Sequence, residues 1–88
     1  AGVHVDGLYN SNLLLVETER AMLEASDEVT ILADSTKFGH KSLARICDLK
    51  AIDTFVVDCG ISDDWSSQLI SSGIELCIAE TAAKFDND

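Results

Sequence analysis

The chain contains 88 residues with a mass of 9.5 kDa, and domains usually contain about 100 to 150 residues, so it forms one small domain or part of one. A hydrophobic fraction of 47% with 25% charged residues is typical of a globular protein and excludes an intrinsically disordered chain. The longest apolar runs contain four residues, whereas a membrane span needs about 18, and no signal peptide is visible. We therefore expect a cytoplasmic protein with no membrane partner.

The net charge argues against direct DNA binding by this chain. Sixteen acidic residues against six basic ones give a formal charge of -10 at pH 7. A surface this negative repels a phosphate backbone unless its few cations are clustered. Any contact with DNA is therefore expected to come from a segment other than these 88 residues.

Neither the cysteines nor the histidines have the spacing of a metal site. Cys47, Cys59 and Cys77 are separated by 12 and 18 residues, which fits neither a disulfide framework nor a CxxC zinc motif. His4 and His40 have no cysteine or second histidine at ligand spacing. We expect no metal or other cofactor, and we interpret the cysteines as small buried hydrophobic residues.

Residues 12–26 have the pattern of an amphipathic helix. Its apolar stripe contains residues at positions i, i+3, i+7 and i+10, and the charged residues lie mostly off that stripe. Asn10 or Asn12 is suited to cap the start of the helix. The residues that we expect to face the core are Leu15, Thr18, Met22 and Ala25.

A second helix is predicted over residues 63–72. Ser62 has the character of an N-cap, and acidic residues in the first turn interact favourably with the helix dipole. Gly73 supplies a left-handed residue at which the helix ends. We expect the buried side of this helix to contain Trp65, Leu69 and Ile70.

Three short apolar runs predict β-strands. Residues 29–33 form a short, mostly apolar run rich in β-branched residues and residues 55–57 form another, which suits strands that are covered on both faces, and residues 74–78 are predicted as a further strand. With a further strand before the first helix, the chain is expected to alternate as strand, helix, strand, connection, strand, helix, strand. This order is typical of an α/β fold in which helices cover a parallel sheet and right-handed crossovers join the strands.

The segment 34–39 is the best candidate for a functional site. The runs 29–33 and 55–57 both end in an aspartate, Asp34 and Asp58. In parallel sheets with covering helices, ligands bind beyond the carboxyl ends of the strands. The segment that follows the first of these runs is thus expected to lie where a ligand binds.

The side chains of this segment suit an anionic ligand. A phosphate group needs a fixed cation with hydroxyl or backbone donors, and Ser35, Thr36 and Lys37 supply these groups on one turn. The segment is not a Walker loop, because the glycines of that motif are missing. It also opens a local positive island, since four of the six cations fall within fourteen residues: Lys37, Lys41, Arg45 and Lys50.

Each of these residues also has a structural interpretation. The lysines suit a solvated surface equally well. Asp34 either orients Lys37 and accepts hydrogen bonds from a sugar hydroxyl, or it only forms the turn at the end of a strand. Asn10 and Asn12 either meet a ligand or satisfy the free amides at the start of the first helix.

Four segments together resemble the effector domain of DeoR-family bacterial transcriptional regulators. They are residues 7–12, 16–22, 32–39 and 52–58, and both their order and their spacing match. The resemblance covers residues 2 to about 79, and it is most specific over the last two segments. It implies a sensor domain that binds a phosphorylated sugar or related metabolite, preceded in the regulator by a helix-turn-helix domain that binds DNA.

The resemblance also implies a domain division. Residues 1–79 are expected to form a partial effector-sensing domain, and residues 80–88 a polar tail. The helix-turn-helix domain and the front half of the sensor are not found in this chain. Since a missing front half would expose the edge of a parallel sheet, we also expect a homo-oligomer.

DeoR-family sensors are similar in fold to ribose phosphate isomerase, so the resemblance implies the latter part of an isomerase-like domain. Matching Lys37 to the lysine after the isomerase strand puts Glu19 at the position of the catalytic glutamate. It also puts Asn10 at the position of the catalytic lysine, and residues 11–14 replace a glycine-rich loop. We therefore expect binding without turnover. The alternative is a fragment of a sugar-phosphate isomerase-like enzyme that uses Glu19 as its base.

Overall fold

Six strands and two α-helices alternate along residues 2–79, which is the part of the chain that the computed structural model describes. The polar tail expected at residues 80–88 lies outside the described residues. Two short 3-10 turns interrupt the connection between the third and fifth strands. In chain order the elements are β1 Gly2–His4, β2 Gly7–Asn10, α1 Leu13–Ala25, β3 Thr30–Leu32, a 3-10 turn Ser35–Lys37, β4 Ala44–Cys47, a 3-10 turn Leu49–Ala51, β5 Thr54–Asp58, α2 Asp63–Ser71 and β6 Glu75–Ala79.

The predicted parallel sheet is present and has the strand order β3-β5-β6. Its register places Ile31 beside Phe55 and Phe55 beside Leu76. Helix α2 connects β5 to β6 and contributes the fully buried Leu69 to the core of this sheet. The expected combination of a parallel sheet with helices in an α/β fold is confirmed.

The strands near the start of the chain form a separate antiparallel sheet, so their expected place in the parallel sheet is wrong. Strands β1 and β2 form a hairpin, and β2 pairs on its other side with β4. The connection before residue 54 therefore contains a strand that the pattern of apolar runs did not predict. In β4, cationic Arg45 and small Ala44 interrupt the apolar signal, and the pairing with β2 is a long-range contact.

The core lies on one face of the parallel sheet. In β5, Phe55 and Val57 point into this core and are 0% and 1% exposed. On the opposite face, Leu32 of β3 is 74% exposed among residues 2–79, so the expectation that both faces are covered is wrong for this strand. The buried hydrophobic cluster contains Val3, Leu8, Leu49, Ile52, Phe55, Val57, Leu69 and Ile74.

Helix α1 forms where it was predicted but buries a different stripe. The Asn12 side chain accepts hydrogen bonds from the amides of Leu14 and Leu15, at 3.1 and 3.3 Å, and so caps the helix. The buried residue of α1 is Val16, whereas Met22 is 63% exposed. Apolar residues lie on every side of the first turn of α1. The helix can therefore bury a face that contains Val16 instead of the predicted one. The predicted stripe Leu15, Thr18, Met22 and Ala25 is exposed.

Helix α2 begins and ends with the predicted caps. The Ser62 hydroxyl accepts from the amide of Trp65 at 3.1 Å. Gly73 has a φ of 86° and its amide donates to Ile70, while the amide of Ile74 donates to the carbonyl of Leu69 at 3.2 Å. This pair of bonds is a Schellman motif, whose left-handed residue favours glycine. Leu69 is buried and Trp65 packs against the core, but Ile70 is exposed, contrary to expectation.

The first strand is joined to the segment that follows the 3-10 turn at Ser35–Lys37. Val3 and Phe38 form a parallel bridge, and the amide of Gly39 donates to the carbonyl of Val3 at 2.7 Å. The Phe38 ring lies 5.4 Å from Phe55 and 5.1 Å from Trp65, measured between ring centroids. The residue directly after Lys37 is therefore anchored in the core.

The cysteines are more exposed than expected. Cys47 is partly buried, but Cys59 and Cys77 are exposed, so the prediction of burial is wrong for these two. Their strands or turns place the thiols outside the single covered face. Among residues 2–79, neither helix has the length and apolarity needed to cross a bilayer, and no group of three His, Cys, Asp or Glu side chains is arranged to hold a metal ion.

Candidate functional site

The turn at the carboxyl end of β3 is closed by its own aspartate. Asp34 accepts a hydrogen bond from the amide of Thr36 at 2.9 Å, and the Thr36 hydroxyl donates to the same carboxylate oxygen. The hydroxyl and then the amide of Thr36 lower the pKa of Asp34 below its ordinary value of 3.8. The Thr36 hydroxyl hydrogen is thus used within the turn.

A second aspartate fixes the turn from the neighbouring strand. Asp58 ends β5, and its two carboxylate oxygens accept from the amide of Ser35 at 2.6 Å and from the Ser35 hydroxyl at 2.8 Å. The amide of Gly60 adds a third bond at 2.9 Å. These donors, the Ser35 amide first, lower the pKa of Asp58 below 3.8. We call the set Ser35, Asp58 and Gly60 the Asp58 clamp.

Gly60 leaves room for the closely spaced side chains of this clamp. A Cβ atom at position 60 would lie 2.7 Å from both Asp58 Oδ2 and Ser35 Oγ, which is closer than side chains approach. Asp58 and Gly60 were not among the predicted site residues. The sequence did contain a signal for Asp58, because it directly follows an apolar run, as Asp34 does.

Lys37 lines a cavity between the two sheets. The cavity has a volume of about 210 Å³, and its wall includes Leu8 of β2, Ile31 of β3 and Ile46 of β4. Glu19 of α1 lines the same cavity. None of the ion pairs found among residues 2–79 involves Lys37. The lysine therefore brings a positive charge to a mostly apolar cavity without forming an ion pair in the described part of the chain, although its charge helps to lower the pKa of Asp34.

Asn10 and Asn12 make local hydrogen bonds near this cavity. The Asn10 amide group donates to Glu19 Oε1 at 3.1 Å, and its oxygen accepts from the amide of Asn12 at 3.2 Å. Asn12 caps α1. Of the six residues predicted as ligand-binding, Lys37 alone lines the 210 Å³ cavity, and the others hold the backbone around it: Asn10, Asn12, Asp34, Ser35 and Thr36.

The predicted positive island is divided in the folded chain. Lys41 pairs with Asp6 at 2.7 Å, and Arg45 pairs with Asp48. Arg45 and Asp48 line a larger polar groove of about 640 Å³ with Lys50, on a different part of the surface from Lys37. Lys41 and Arg45 are thus already paired with carboxylates, whereas Lys37 forms no ion pair among residues 2–79.

The arrangement around Lys37 is suited to hold a small anionic molecule with polar groups. The ammonium group supplies charge-assisted hydrogen bonds, and Glu19 supplies a carboxylate acceptor in the same cavity. The two aspartates keep the turn in one conformation, which limits the entropy lost when a ligand binds.

Comparison with known proteins identifies the family. A model of the DeoR C-terminal sensor domain matches residues 1–59, about two thirds of the chain. The chain belongs to the DeoR C-terminal sensor domain family. It is thus a sensor domain of the type found in transcriptional regulators, as the resemblance predicted. The match includes the Asp34–Lys37 turn and Asp58, while α2 and β6 follow it.

Three similar proteins are regulators. The chain is 36% identical over 59 residues to the "Putative aga operon transcriptional repressor" of Escherichia coli O157:H7. The matched segment covers 67% of this chain and 22% of that protein. It is 35% identical over 65 residues to the L-fucose operon activator of Haemophilus influenzae, covering 73% and 26%. It is 29% identical over 56 residues to an uncharacterized HTH-type transcriptional regulator of Bacillus subtilis, covering 64% and 22%. The chain spans about a quarter of the length of these DeoR-type relatives.

Proposed function

We propose that this chain is part of the effector-binding domain of a DeoR-type transcriptional regulator and that it binds a phosphorylated sugar or related metabolite. Binding would control the affinity of the full-length protein for DNA. The single observation that carries the proposal is Lys37, which lines a cavity and forms no ion pair among residues 2–79. An anion entering this cavity would form a charge-assisted contact with this lysine.

Lys37 is proposed to contact the phosphate, and the neighbouring residues to keep it in position. Asp34 and Ser35 hold the turn through hydrogen bonds to Thr36 and Asp58. The hydroxyls of Ser35 and Thr36 already donate to these carboxylates. Each hydroxyl must therefore rotate if it is to donate to the ligand, or else it acts only by holding the turn. The ammonium group is therefore the main phosphate contact.

Asn10, Asn12 and Asp34 are proposed to meet sugar hydroxyls or to shape the pocket. Asn10 fixes Glu19, and Asn12 fixes the first turn of α1. Both residues connect the end of β2 to the helix that forms one side of the cavity. A ligand hydroxyl that enters near Glu19 would find an acceptor oxygen there.

The similar proteins support a sugar-related effector. One is named as an activator of an L-fucose operon, and L-fucose is a sugar. Another is named as an HTH-type regulator, which supports DNA binding through a segment outside these 88 residues. We propose that a homo-oligomer couples the two activities, and allosteric coupling of this kind typically amounts to about 1 to 3 kcal/mol.

The second candidate function is an isomerase-like reaction, and we propose the latter part of an isomerase-like fold in either case. The observation that favours the reaction is the presence of Glu19 and Lys37 in one cavity. Asn10 opposes it, because an amide at this position cannot act as the cationic partner that stabilises a developing oxyanion. Conversion of an aldose phosphate to a ketose phosphate by the full-length protein, abolished in Glu19→Gln, would establish the enzyme instead.

Calorimetric titration of the full-length protein with a panel of pentose and hexose monophosphates tests the proposal. We expect at least one compound to bind, and Lys37→Ala to weaken its binding by about tenfold or more, as expected for loss of a charge-assisted contact. Lys50→Ala, which removes an exposed lysine from the other groove, is the matched control and should bind normally. Equal affinities for wild type and Lys37→Ala would contradict the proposed role of the lysine.

A further inference from the structure

Glu19 and Lys37 carry opposite charges into one cavity, although no ion pair between them is found among residues 2–79. We propose that Glu19 makes the site selective for polyhydroxylated phosphates by disfavouring inorganic phosphate. This inference rests on the proposed function, since it concerns the same cavity. It goes further by assigning the selection of the ligand to a carboxylate on α1.

The orientation of Glu19 is fixed on one side only. Asn10 donates to Oε1 at 3.1 Å, and within residues 2–79 no hydrogen bond to Oε2 is found. The side chain is partly buried. A carboxylate oxygen held in this way is an acceptor that a ligand can use without displacing a protein partner.

Glu19 also lies where the cavity continues away from Lys37. A second cavity, also of about 210 Å³, extends along α1 towards Met22, Leu23 and Ser26. The two cavities share the wall residues Leu8, Glu19, Thr30, Ile31 and Ile46. A ligand longer than a phosphate ion therefore has room to extend from Lys37 past Glu19.

The two charges select between ligands by different interactions. Inorganic phosphate would gain the attraction of Lys37 but would also be repelled by Glu19, and it has little else with which to compensate. A sugar phosphate pays the same repulsion, but its hydroxyls can donate charge-assisted hydrogen bonds to the carboxylate. Glu19 thus lowers the affinity for a bare anion and raises the relative affinity for an anion that carries hydroxyl groups.

The experiment compares two probes in three forms of the full-length protein. The probes are inorganic phosphate and the sugar phosphate that binds most tightly to the wild type in the panel described above. The variants are Glu19→Gln, which keeps an oxygen for Asn10, and Glu17→Gln, which removes an equal charge from an exposed position on the same helix. Circular dichroism and thermal unfolding establish that each variant is folded.

We expect Glu19→Gln to bind inorganic phosphate more tightly and the sugar phosphate more weakly, so that the ratio of affinities falls about tenfold or more. Glu17→Gln should leave the ratio unchanged. If Glu19 had a purely structural role, Glu19→Gln would weaken the binding of both probes equally. The ratio of affinities would then stay unchanged, and this result would overturn the inference. If Glu19→Gln leaves the ratio unchanged while Lys37→Ala still weakens both probes, the proposed function stands and the selective role of Glu19 alone fails. Absence of binding by any probe to the wild type would overturn both.

Discussion

The carboxylate of Asp58 at the end of β5 holds both the amide and the hydroxyl of Ser35, at 2.6 and 2.8 Å, in the turn that follows β3. Asp58 is thereby bonded to the residue two positions before Lys37. The carboxyl ends of two neighbouring parallel strands are connected by this contact rather than by packing alone. The position of the lysine therefore depends on a residue 21 positions away in the sequence.

Replacement of Asp58 should weaken ligand binding without removing the lysine. In Asp58→Ala, the Ser35 amide and hydroxyl lose their acceptors and the turn gains freedom, so we expect the affinity for a sugar phosphate to fall about tenfold. Gly60→Ala should act in the same direction because its Cβ enters the clamp. Calorimetric titration of the full-length protein measures the loss.

The control for that experiment lies at the opposite end of β5. Asp53 accepts from the amide of Val29 at 2.7 Å, so Asp53→Ala removes a comparable bond from the edge of the sheet remote from Lys37. Its affinity for the ligand should match that of the wild type. Equal losses in Asp53→Ala and Asp58→Ala would show that general destabilisation, rather than the clamp, explains the effect.

Asp58 should also contribute to the acid sensitivity of the fold. Hydrogen bonds from Ser35 and Gly60 lower the pKa of Asp58 in the folded chain, so the contribution of its ionised form is present above about pH 3.8 and is lost as the pH falls through the lower folded value. Asp58→Asn lacks this titration. We expect the thermal midpoint of the wild type to fall more than that of Asp58→Asn between pH 5 and pH 3.

Asp34 titrates in the same direction, because Thr36 lowers its pKa as well. The double variant with asparagine at both positions should therefore have the shallowest acid transition. Parallel curves for all three proteins would contradict the contribution of these carboxylates. Unfolding followed by circular dichroism at several pH values provides the comparison.

The two faces of the parallel sheet should respond differently to truncation of a side chain. Phe55 and Leu69 are 0% exposed, so Phe55→Ala should cost about 3 to 5 kcal/mol and Leu69→Ala about 2 to 5 kcal/mol in the free energy of unfolding. Leu32 is 74% exposed, and Leu32→Ala should change it by only about 0.5 kcal/mol. Urea unfolding of the 88-residue chain measures all three.

A larger loss in the free energy of unfolding for Leu32→Ala would show whether something covers this face of the sheet. If the same substitution costs more in the full-length protein than in the 88-residue chain, another segment or another copy covers this face. A large loss in the 88-residue chain itself would contradict the exposure of Leu32. The comparison of the two lengths separates these outcomes.

The three thiols should react at different rates. Burial raises the pKa of the Cys47 thiol and so lowers its thiolate fraction, whereas Cys59 and Cys77 are exposed. Mass spectrometry after brief treatment with a maleimide should find Cys59 and Cys77 modified before Cys47. Modification of Cys47 first would contradict its partly buried position in β4, where it pairs with Leu8 of β2.

Self-association is expected from the exposed edges and face of the parallel sheet. Among residues 2–79, β3 and β6 each pair on one side only, and Leu32 projects from the open face. Such edges promote pairing between copies. Sedimentation should detect dimers or larger species of the 88-residue chain, and Leu32→Lys should shift them towards monomer. A monomer at high concentration would contradict this expectation.

The helices of the fold were predictable to the extent that their signals are local. The caps of α2, Ser62 and Gly73, are side-chain and backbone preferences that act within one turn, and both were predicted. The start of α1 at Asn12 was one of two alternatives for the same reason. Which face of α1 is buried was not predictable, because apolar residues surround its first turn and the choice of Val16 depends on packing against β2 and β4.

The candidate site was predictable in its position but not in its connections. Lys37 was predicted to contact a ligand because it follows a strand of a parallel sheet, where ligands bind. The clamp from Asp58, the bond between Asn10 and Glu19, and the separation of Lys37 from Arg45 all depend on contacts between distant segments. Strand β4 was not predicted, because Arg45 interrupts its apolar pattern and its pairing with β2 is a contact between distant segments.

The bridge between Val3 and Phe38 bears on how the protein can be shortened. It links the beginning of the chain to the residue beside Lys37, supported by the bond from Gly39 to Val3. A version that starts after His4 would retain every residue proposed to meet the metabolite. It would nevertheless lose one of the attachments of the segment that follows Lys37, so protein boundaries drawn from the binding residues alone would be set too far downstream.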